Sequence, residues 1–307
     1  MSNVALIDGD IFCYRLAAAA QEEIDWDGDG EATTNLSQEQ ARDTAFKLVK
    51  TWTKMAKCKR TLLVFSDRSN EKASFRFNVH PHYKANRTAE RPMLHDYVKT
   101  CLENEFPNKF LPGLEGDDTM GIIATGEDGL KYTMVTMDKD MLTVPGRICW
   151  LRSKPAPMGA KAEDHWKIER MGRIQPDEAD YHWMFQTVMG DSVDNFKGAP
   201  GIGAKKAETF ISRFAGLEKN IDGALAAFRA STKLSRYHDL WVHEAAINQK
   251  DPAVIADAIY QEFLMNARCA RILRAGEYAI HSGSTGRTPM VKLWHPEAPK
   301  ETWELVT

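Results

Sequence analysis

The sequence predicts an α/β protein with a mostly parallel sheet and flanking helices in its first half and helices alone in its second. Three observations carry this expectation. Short uninterrupted apolar runs occur at residues 4–7, 61–65 and 132–137. Runs of that length, rich in β-branched and aromatic residues, form strands buried on both faces. Helical patterning fills the intervals between them, over residues 38–57 and 92–105, as in a parallel sheet with crossover helices. From residue 176 to about 278 the pattern stays helical, with no further strand-like run.

Taken in order, Val4-Ala5-Leu6-Ile7 stops at Asp8, the second run stops at Ser66-Asp67, and the third stops at Asp138. Residues 147–152 suggest a fourth strand. Pro155, Pro157, Gly159 and Gly172 punctuate a polar stretch over residues 153–175, which reads as irregular structure closing a first domain. Asp177, after Pro176, is expected to cap a helix running to about Met189. Further helices are expected over residues 204–214, 221–230, 239–248 and 252–273. The last residues, 281–307, carry no clear pattern. The expected organisation is therefore a domain at 1–175, a second at 176–280 and a tail at 281–307.

The chain has 307 residues, a length suited to about two domains. With 43% hydrophobic and 27% charged residues it has enough apolar side chains to build cores, which excludes a disordered chain, a collagen-like repeat and a small disulfide scaffold. No apolar run approaches the roughly 18 residues of a membrane span. The strand-like run begins at Val4, so no signal peptide is expected. Five cysteines (Cys13, Cys58, Cys101, Cys149, Cys269) are scattered, odd in number and without a C-x-x-C pair. A reducing, cytoplasmic setting and no zinc site are expected. The net charge is −3, which argues against a uniformly basic coat. Residues 68–99 nevertheless carry seven bases, three acids and three histidines, whereas residues 22–31 are strongly acidic.

The acids at the strand ends carry the chemistry. Asp8, Asp67 and Asp138 each follow a buried run, and the crevice outside the carboxyl ends of such strands is where sites form. Three acids there would raise one another's pKa unless cations intervened, and divalent cations favour oxygen donors. Leu114-Glu115-Gly116-Asp117-Asp118 precedes an apolar helix, Asp138-Lys139-Asp140 follows the third strand, and Met189-Gly190-Asp191-Ser192-Val193-Asp194 ends the first helix of the second half. These places together hold nine acids, and without them the net charge would be +6. A single acidic pair is more often a cap or a solvated turn. Five such places, three of them at strand ends, suit phosphodiester hydrolysis by two divalent ions about 3.5–4 Å apart.

Directly after Asp194 come Gly198-Ala199-Pro200-Gly201-Ile202-Gly203-Ala204-Lys205-Lys206. The glycines let backbone N–H groups at a helix start approach phosphates, and the lysines add charge there. This is the helix-hairpin-helix type of grip, which reads DNA backbone and not sequence; an ordinary helix–helix turn is the alternative. In the basic stretch, His82-Tyr83-Lys84-Ala85-Asn86-Arg87 reads either as a solvated loop or as a cationic arm over the cleft, with Tyr83 offering a stacking face to a base.

The ordered set of Ile7-Asp8-Gly9, Ser66-Asp67, Tyr83 to Arg87, Leu114 to Asp118, Asp138-Lys139-Asp140, Gly190 to Asn195 and Gly198 to Lys206 resembles the flap endonuclease / 5′→3′ exonuclease family, closest to its stand-alone bacteriophage members. The likeness spans about residues 4–278. It implies a twisted, mostly parallel sheet with a helical arch over about residues 68–100, followed by an all-α helix-three-turn-helix domain. It implies hydrolysis of DNA at duplex 5′ ends, nicks and flaps, with RNA/DNA hybrids left open, and no membrane partner. Two ions of Mg²⁺ or Mn²⁺ are implied, one served by Asp8, Asp67, Glu115, Asp117 and Asp118, the other by Asp138, Asp140, Asp191 and Asp194. Lys84 and Arg87 match bases that contact the scissile phosphate. DNA contacts fall to Tyr83, Lys84, Arg87, Gly198, Gly201, Gly203, Lys205 and Lys206, with K⁺ expected near Gly201 and Gly203. If the chain is phage-encoded, the setting is the host cytoplasm.

Asp10 departs from the pattern and is either a further acid of the site or a helix N-cap. Residues 25–30 begin like a calcium loop, but Leu36 stands where a bidentate glutamate is needed. His80-Pro81-His82 lacks further zinc ligands nearby. Two rivals remain open. An aspartyl-phosphate phosphatase would use Asp8 as nucleophile and Asp10 as general acid, and a non-catalytic DNA-structure-binding module would leave the acids inert.

Overall fold

All five residues of the first strand, β1 (Val4–Asp8), are buried, as a strand covered on both faces requires. The structure, a computed structural model, describes residues 3–22, 33–68, 74–88, 90–154, 165–213, 215–231, 252–283, 286–298 and 304–306. The acidic loop at 25–30 and the helix expected at 239–248 lie outside them. After β1 come α1 (Gly9–Ala20), the short pair β2 (Gln21–Glu22) and β3 (Thr33–Thr34), α2 (Gln38–Met55), β4 (Arg60–Val64), α3 (Arg76–Val79), α4 (His95–Glu105), β5 (Asn108–Lys109) and α5 (Gly116–Thr125). The chain continues through β6 (Tyr132–Thr136), β7 (Gly146–Ser153), β8 (Trp166–Ile174), α6 (Pro176–Met189), α7 (Ala204–Phe210), α8 (Leu217–Ala230) and α9 (Pro252–Ala270). It closes with β9 (Tyr278–Gly283), β10 (Gly286–Leu293) and β11 (Glu304–Val306).

The main sheet has six strands in the order β5-β4-β1-β6-β7-β8. All neighbours are parallel except β7 and β8. This is the mostly parallel α/β sheet the sequence predicts. On one face α1, α2 and α4 enclose a core with Phe12, Val49, Trp52, Val98 and Leu102. The helix α2 forms because Ser37 and Gln40 close a capping box, and Ala41, Ala45, Val49 and Trp52 recur at helical spacing on its buried side. The other face carries Met120, Met134, Met141 and Ile148 under α5 and α6. A third core joins α6, α7, α8 and α9 around Trp183, Phe228 and Phe263, with Tyr83 and Trp294 reaching in from either side in sequence.

Three expectations are corrected. Residues 166–174 are not irregular: β8 pairs antiparallel along the length of β7, from Gly146↔Ile174 to Ser153↔Trp166. Arg170 faces Trp150 and Ile168 faces Leu151, so Glu169 is an extra residue in a bulge. The bulge shifts the alternation between Ile168 and Met171, which hides the strand from a search for period two. Asp177 is not the cap of α6. Pro176 takes the first helical position, where its missing N–H costs no bond, and Gln175 precedes it. Residues beyond 278 are not an unpatterned tail, because β9, β10 and β11 form an antiparallel sheet. Val291 and Leu293 of that sheet bury themselves against Phe75, Leu114 and Leu273.

The loop after α6 fixes two of the acids. Asp191 and Phe196 exchange both backbone hydrogen bonds (2.8 and 3.0 Å), and Gly190 and Gly198 pass backbone to backbone, each with positive φ. A Cβ on Gly190 would overlap the main chain at Lys197 and Gly198. Gly190→Ala is expected to cost about 2–4 kcal/mol in denaturant unfolding; a loss below about 0.5 kcal/mol would contradict this close approach.

Candidate active site

Strand geometry delivers the first acids. Asp8 ends β1 and caps α1: its Oδ1 accepts the Ile11 N–H (3.1 Å) and its Oδ2 accepts the Thr136 hydroxyl (3.1 Å). The same Thr136 oxygen accepts the Asp138 N–H (3.0 Å). One threonine thus ties the acid of β1 to the acid after β6. Asp117 sits in the first turn of α5. Burial raises Asp8 to about 7, against the pull of its backbone bond, and Asp10 and Asp138 push it further in the same direction. Burial raises Asp138 to about 6, with Asp140 adding repulsion. Burial also pushes Asp117 well above the usual carboxylate range, and Asp8, Asp138 and Glu115 add to it. These three carboxylates share one field.

The segment at 80–87 closes over the next acids. Its backbone is stapled to the 191–195 loop: Lys84 N–H donates to Asp194 O (3.1 Å), Asn86 to Ser192 O (2.6 Å) and Asn195 to His82 O (2.7 Å). Lys84 Nζ bonds Glu115 and stands 4.0 Å from Asp194. Arg87 donates to Asp194 Oδ1 (2.6 Å). Burial alone would raise Glu115, but Lys84 and Arg76 hold it down at about 2. On the other flank, Lys139 bridges Asp140 (2.8 Å) and Asp191 (2.9 Å). Burial would raise Asp191 as well, and Lys139 with the N–H groups of Val193 and Asp194 holds it low.

Not every expected residue joins this group. Asp118, fully buried, gives its two oxygens to a fork from Arg76 (2.6 and 2.9 Å) and one also to the Leu273 N–H (3.0 Å). Neighbours on a helix point about 100° apart, so Asp117 faces the crevice while Asp118 faces the interior. Its expected place among the ion ligands is therefore corrected to that of a structural partner. Asp67 accepts the Gly113 N–H (2.8 Å), which commits one oxygen to the loop before Glu115. Tyr83 is 2% exposed and donates to Asp194 (2.8 Å) and Glu115 (3.1 Å), so its ring is not an available stacking face. Gly198 uses its freedom against Gly190 and donates to Asn266 (2.8 Å), a contact within the protein and not with a partner. Gly201, Gly203, Lys205 and Lys206 lie exposed at the turn into α7, which is shorter than expected. Asp10 is not a cap. It accepts from Lys99 (2.8 Å) and from the Ser66 N–H (2.5 Å), beside Asp8.

Sequence reasoning missed Arg76, which is 2% exposed. Besides Asp118 it bonds Glu115 (3.0 Å) and the carbonyls of Cys269 (2.9 Å) and Arg271. Only its membership of the basic stretch marked it, and that does not tell a buried base from a solvated one. Lys139 was passed over because it stands between two more conspicuous acids.

The donors facing the crevice are oxygens, and Asp8, Asp117 and Asp138 repel one another, a set suited to hard divalent cations. Among the described residues no group of three or more such side chains forms a ready metal cage; the fit lies in donor chemistry, with Lys84, Arg87 and Lys139 bonded to the flanking acids. An acid whose folded pKa is raised holds its proton more tightly folded than unfolded. It therefore favours folding at low pH and opposes it as pH rises above its ordinary value of about 4. Asp117→Asn is expected to raise the melting temperature in metal-free buffer at about pH 8 by about 2–4 °C, and the gain should fade as pH falls to about 4. A gain that persists at about pH 4, or none at about pH 8, would contradict the shared field.

A family model described as 5′-3′ exonuclease, N-terminal resolvase-like domain, matches residues 3–170. The exodeoxyribonuclease of Enterobacteria phage T3 is 27% identical over 293 residues, which covers 90% of this chain and 89% of that protein. The crystal structure of the T5 D15 protein co-crystallised with metal ions superposes with a TM-score of 0.51 at 17% identity, over 88% of this chain and all of that one. A T5 D15 flap endonuclease complex with DNA and metal ions superposes with a TM-score of 0.50 at 16% identity, over 87% of this chain and 90% of that one. At these identities the structures speak for the fold, while the family match covers more than half of the chain. The chain belongs to the 5′-3′ exonuclease family.

Proposed function

We propose that this chain hydrolyses DNA phosphodiesters at 5′ ends and 5′ flaps with divalent cations held at the strand-end acids. The observation that carries the reading is the convergence of strand-end acids, Asp8 and Asp138 joined through the Thr136 hydroxyl and both adding their charge at Asp117, a repulsion that a cation would relieve. These three, with Glu115, Asp140, Asp191 and Asp194 on the flanks, would hold two ions of Mg²⁺ or Mn²⁺. Such ions supply an activated water and stabilise the attacking and leaving oxygens of an in-line displacement.

The remaining roles fall to the chain's own groups. Lys84 and Arg87, bonded to Glu115 and Asp194, present positive charge at the mouth of the crevice. A phosphate arriving there competes for both bases, which then stabilise the charge that builds up on it. The 74–88 segment, stapled to the 191–195 loop, serves as the arch side of the cleft in this reading. The turn at Gly201 and Gly203, with exposed Lys205 and Lys206, grips backbone phosphates away from the cut and without sequence preference. The phosphatase alternative gives no role to Asp117 and Asp138 beside Asp8.

The test is digestion of 5′- and 3′-labelled duplex, nicked and flapped DNA, with Mg²⁺ and with EDTA. Release from the 5′ side that stops in EDTA is expected; 3′ release, or cleavage of a simple phosphate ester but not of DNA, would overturn the reading. Asp138→Ala is expected to abolish cleavage while DNA binding stays intact or tightens, since a charge facing phosphates is removed. Lys205→Ala with Lys206→Ala is expected to weaken binding equally on all sequences and to lower its salt slope by about 1–2. An unchanged slope would remove these lysines from the interface.

A further inference from the structure

Phe110 is exposed to solvent at the sheet edge that carries the strand-end acids. It directly follows β5, and 52% of its surface is open. The sheet register locates it. Asp8 pairs with Val64, and Val64 pairs with Lys109. Lys109 and Asp8 therefore lie in one row, two strands apart, about 10 Å at the usual interstrand spacing. Phe110 is one residue further toward the carboxyl ends of the strands, the edge at which Asp8 and Asp138 stand.

The backbone around Phe110 is held on both sides. Phe65 N–H donates to Lys109 O (3.1 Å), and the Tyr278 hydroxyl donates to Pro112 O (3.0 Å). Gly113 N–H donates to Asp67 (2.8 Å), whose own N–H donates to Leu114 O (3.0 Å). The neighbouring Leu111 packs with Leu114, Leu273 and Val291, whereas Phe110 stays open. A lone exposed apolar side chain is ordinary on a folded surface. Here a large ring is carried by an ordered loop that is bonded to a residue of the acid edge. Folding gains little from such a ring, whereas a nucleobase gains a face to stack on. About three base steps of roughly 3.4 Å each span the distance from the acids to the row of the ring.

We propose that Phe110 is a stacking platform for a nucleobase of the DNA strand, within about three nucleotides of the bond cut at the acids. This rests on the nuclease reading and deepens it, because the other contacts at the site are to phosphate and this one is to a base. Exposed Lys109 beside the ring adds charge for the flanking phosphate.

The test uses flapped DNA with 2-aminopurine at single positions across the junction, bound to the full chain in EDTA, and steady-state cleavage of the same DNA in Mg²⁺. With the unmodified chain, fluorescence at one position near the cut should be quenched. Phe110→Ala and Phe110→Leu should both lose that quench and raise KM about 10-fold, with kcat nearly unchanged. Phe110→Trp should restore both. Equal fluorescence at every position in all four proteins overturns the proposal, and so does a Phe110→Leu chain that behaves like the unmodified one, since bulk alone would then suffice. Absence of Mg²⁺-dependent cleavage by the unmodified chain would instead strike at the nuclease reading itself.

Discussion

Carboxylates taken out of water at the ends of parallel strands need compensating charge, and that constraint shapes most of the structure around them. Burial raises the proton affinity of Asp8, Asp117 and Asp138, and the charges of Asp8 and Asp138 add to it at Asp117, so the fold surrounds them with bases drawn from distant segments. Lys84 and Arg87 come from the segment after α3, and Lys139 from the turn after β6. Lys99 comes from α4. Each base is bonded to an acid at the edge of the crevice. The arrangement stores negative potential at one place on a protein whose net charge is only −3.

The same constraint explains why the helical half and the sheet half fit together as they do. Arg76, buried, spans both: its fork holds Asp118 of α5, and its other donors reach carbonyls at and beyond the end of α9. A buried pair of this kind is worth little against an apolar substitute, but losing one partner leaves an uncompensated charge. It therefore specifies geometry more than it adds stability. Through Glu115 and Tyr83 it also fixes the height of the 80–87 segment above the acids. The stapled 191–195 loop fixes the other wall, so crevice width is set by packing on two sides.

Much of this was legible in the chain itself. Strands that are buried on both faces announce themselves as apolar runs, and each of three runs stops within two residues of an acid that the structure leaves at the sheet edge. Gly198 reads as a place where the backbone approaches a phosphate, but the partner it approaches is the protein's own backbone at Gly190. What was not legible depends on pairings that only the folded chain makes. β8 is hidden by a bulge at Glu169, and β9 and β10 mix glycine, proline and polar residues into their runs. Asp117 and Asp118 are equivalent as letters and part only because a helix turns them in different directions. Tyr83 reads as an exposed platform beside two bases until the third core claims its ring.

The central claim is that the strand-end acids form a divalent-cation site. The most direct measurement is calorimetric titration of Mn²⁺ into the unmodified chain and into a chain carrying Asp8→Asn, Asp117→Asn and Asp138→Asn, both checked for folding by circular dichroism. Saturable binding to the first and its loss from the folded triple variant is the predicted result. Equal Mn²⁺ binding by both would contradict the account.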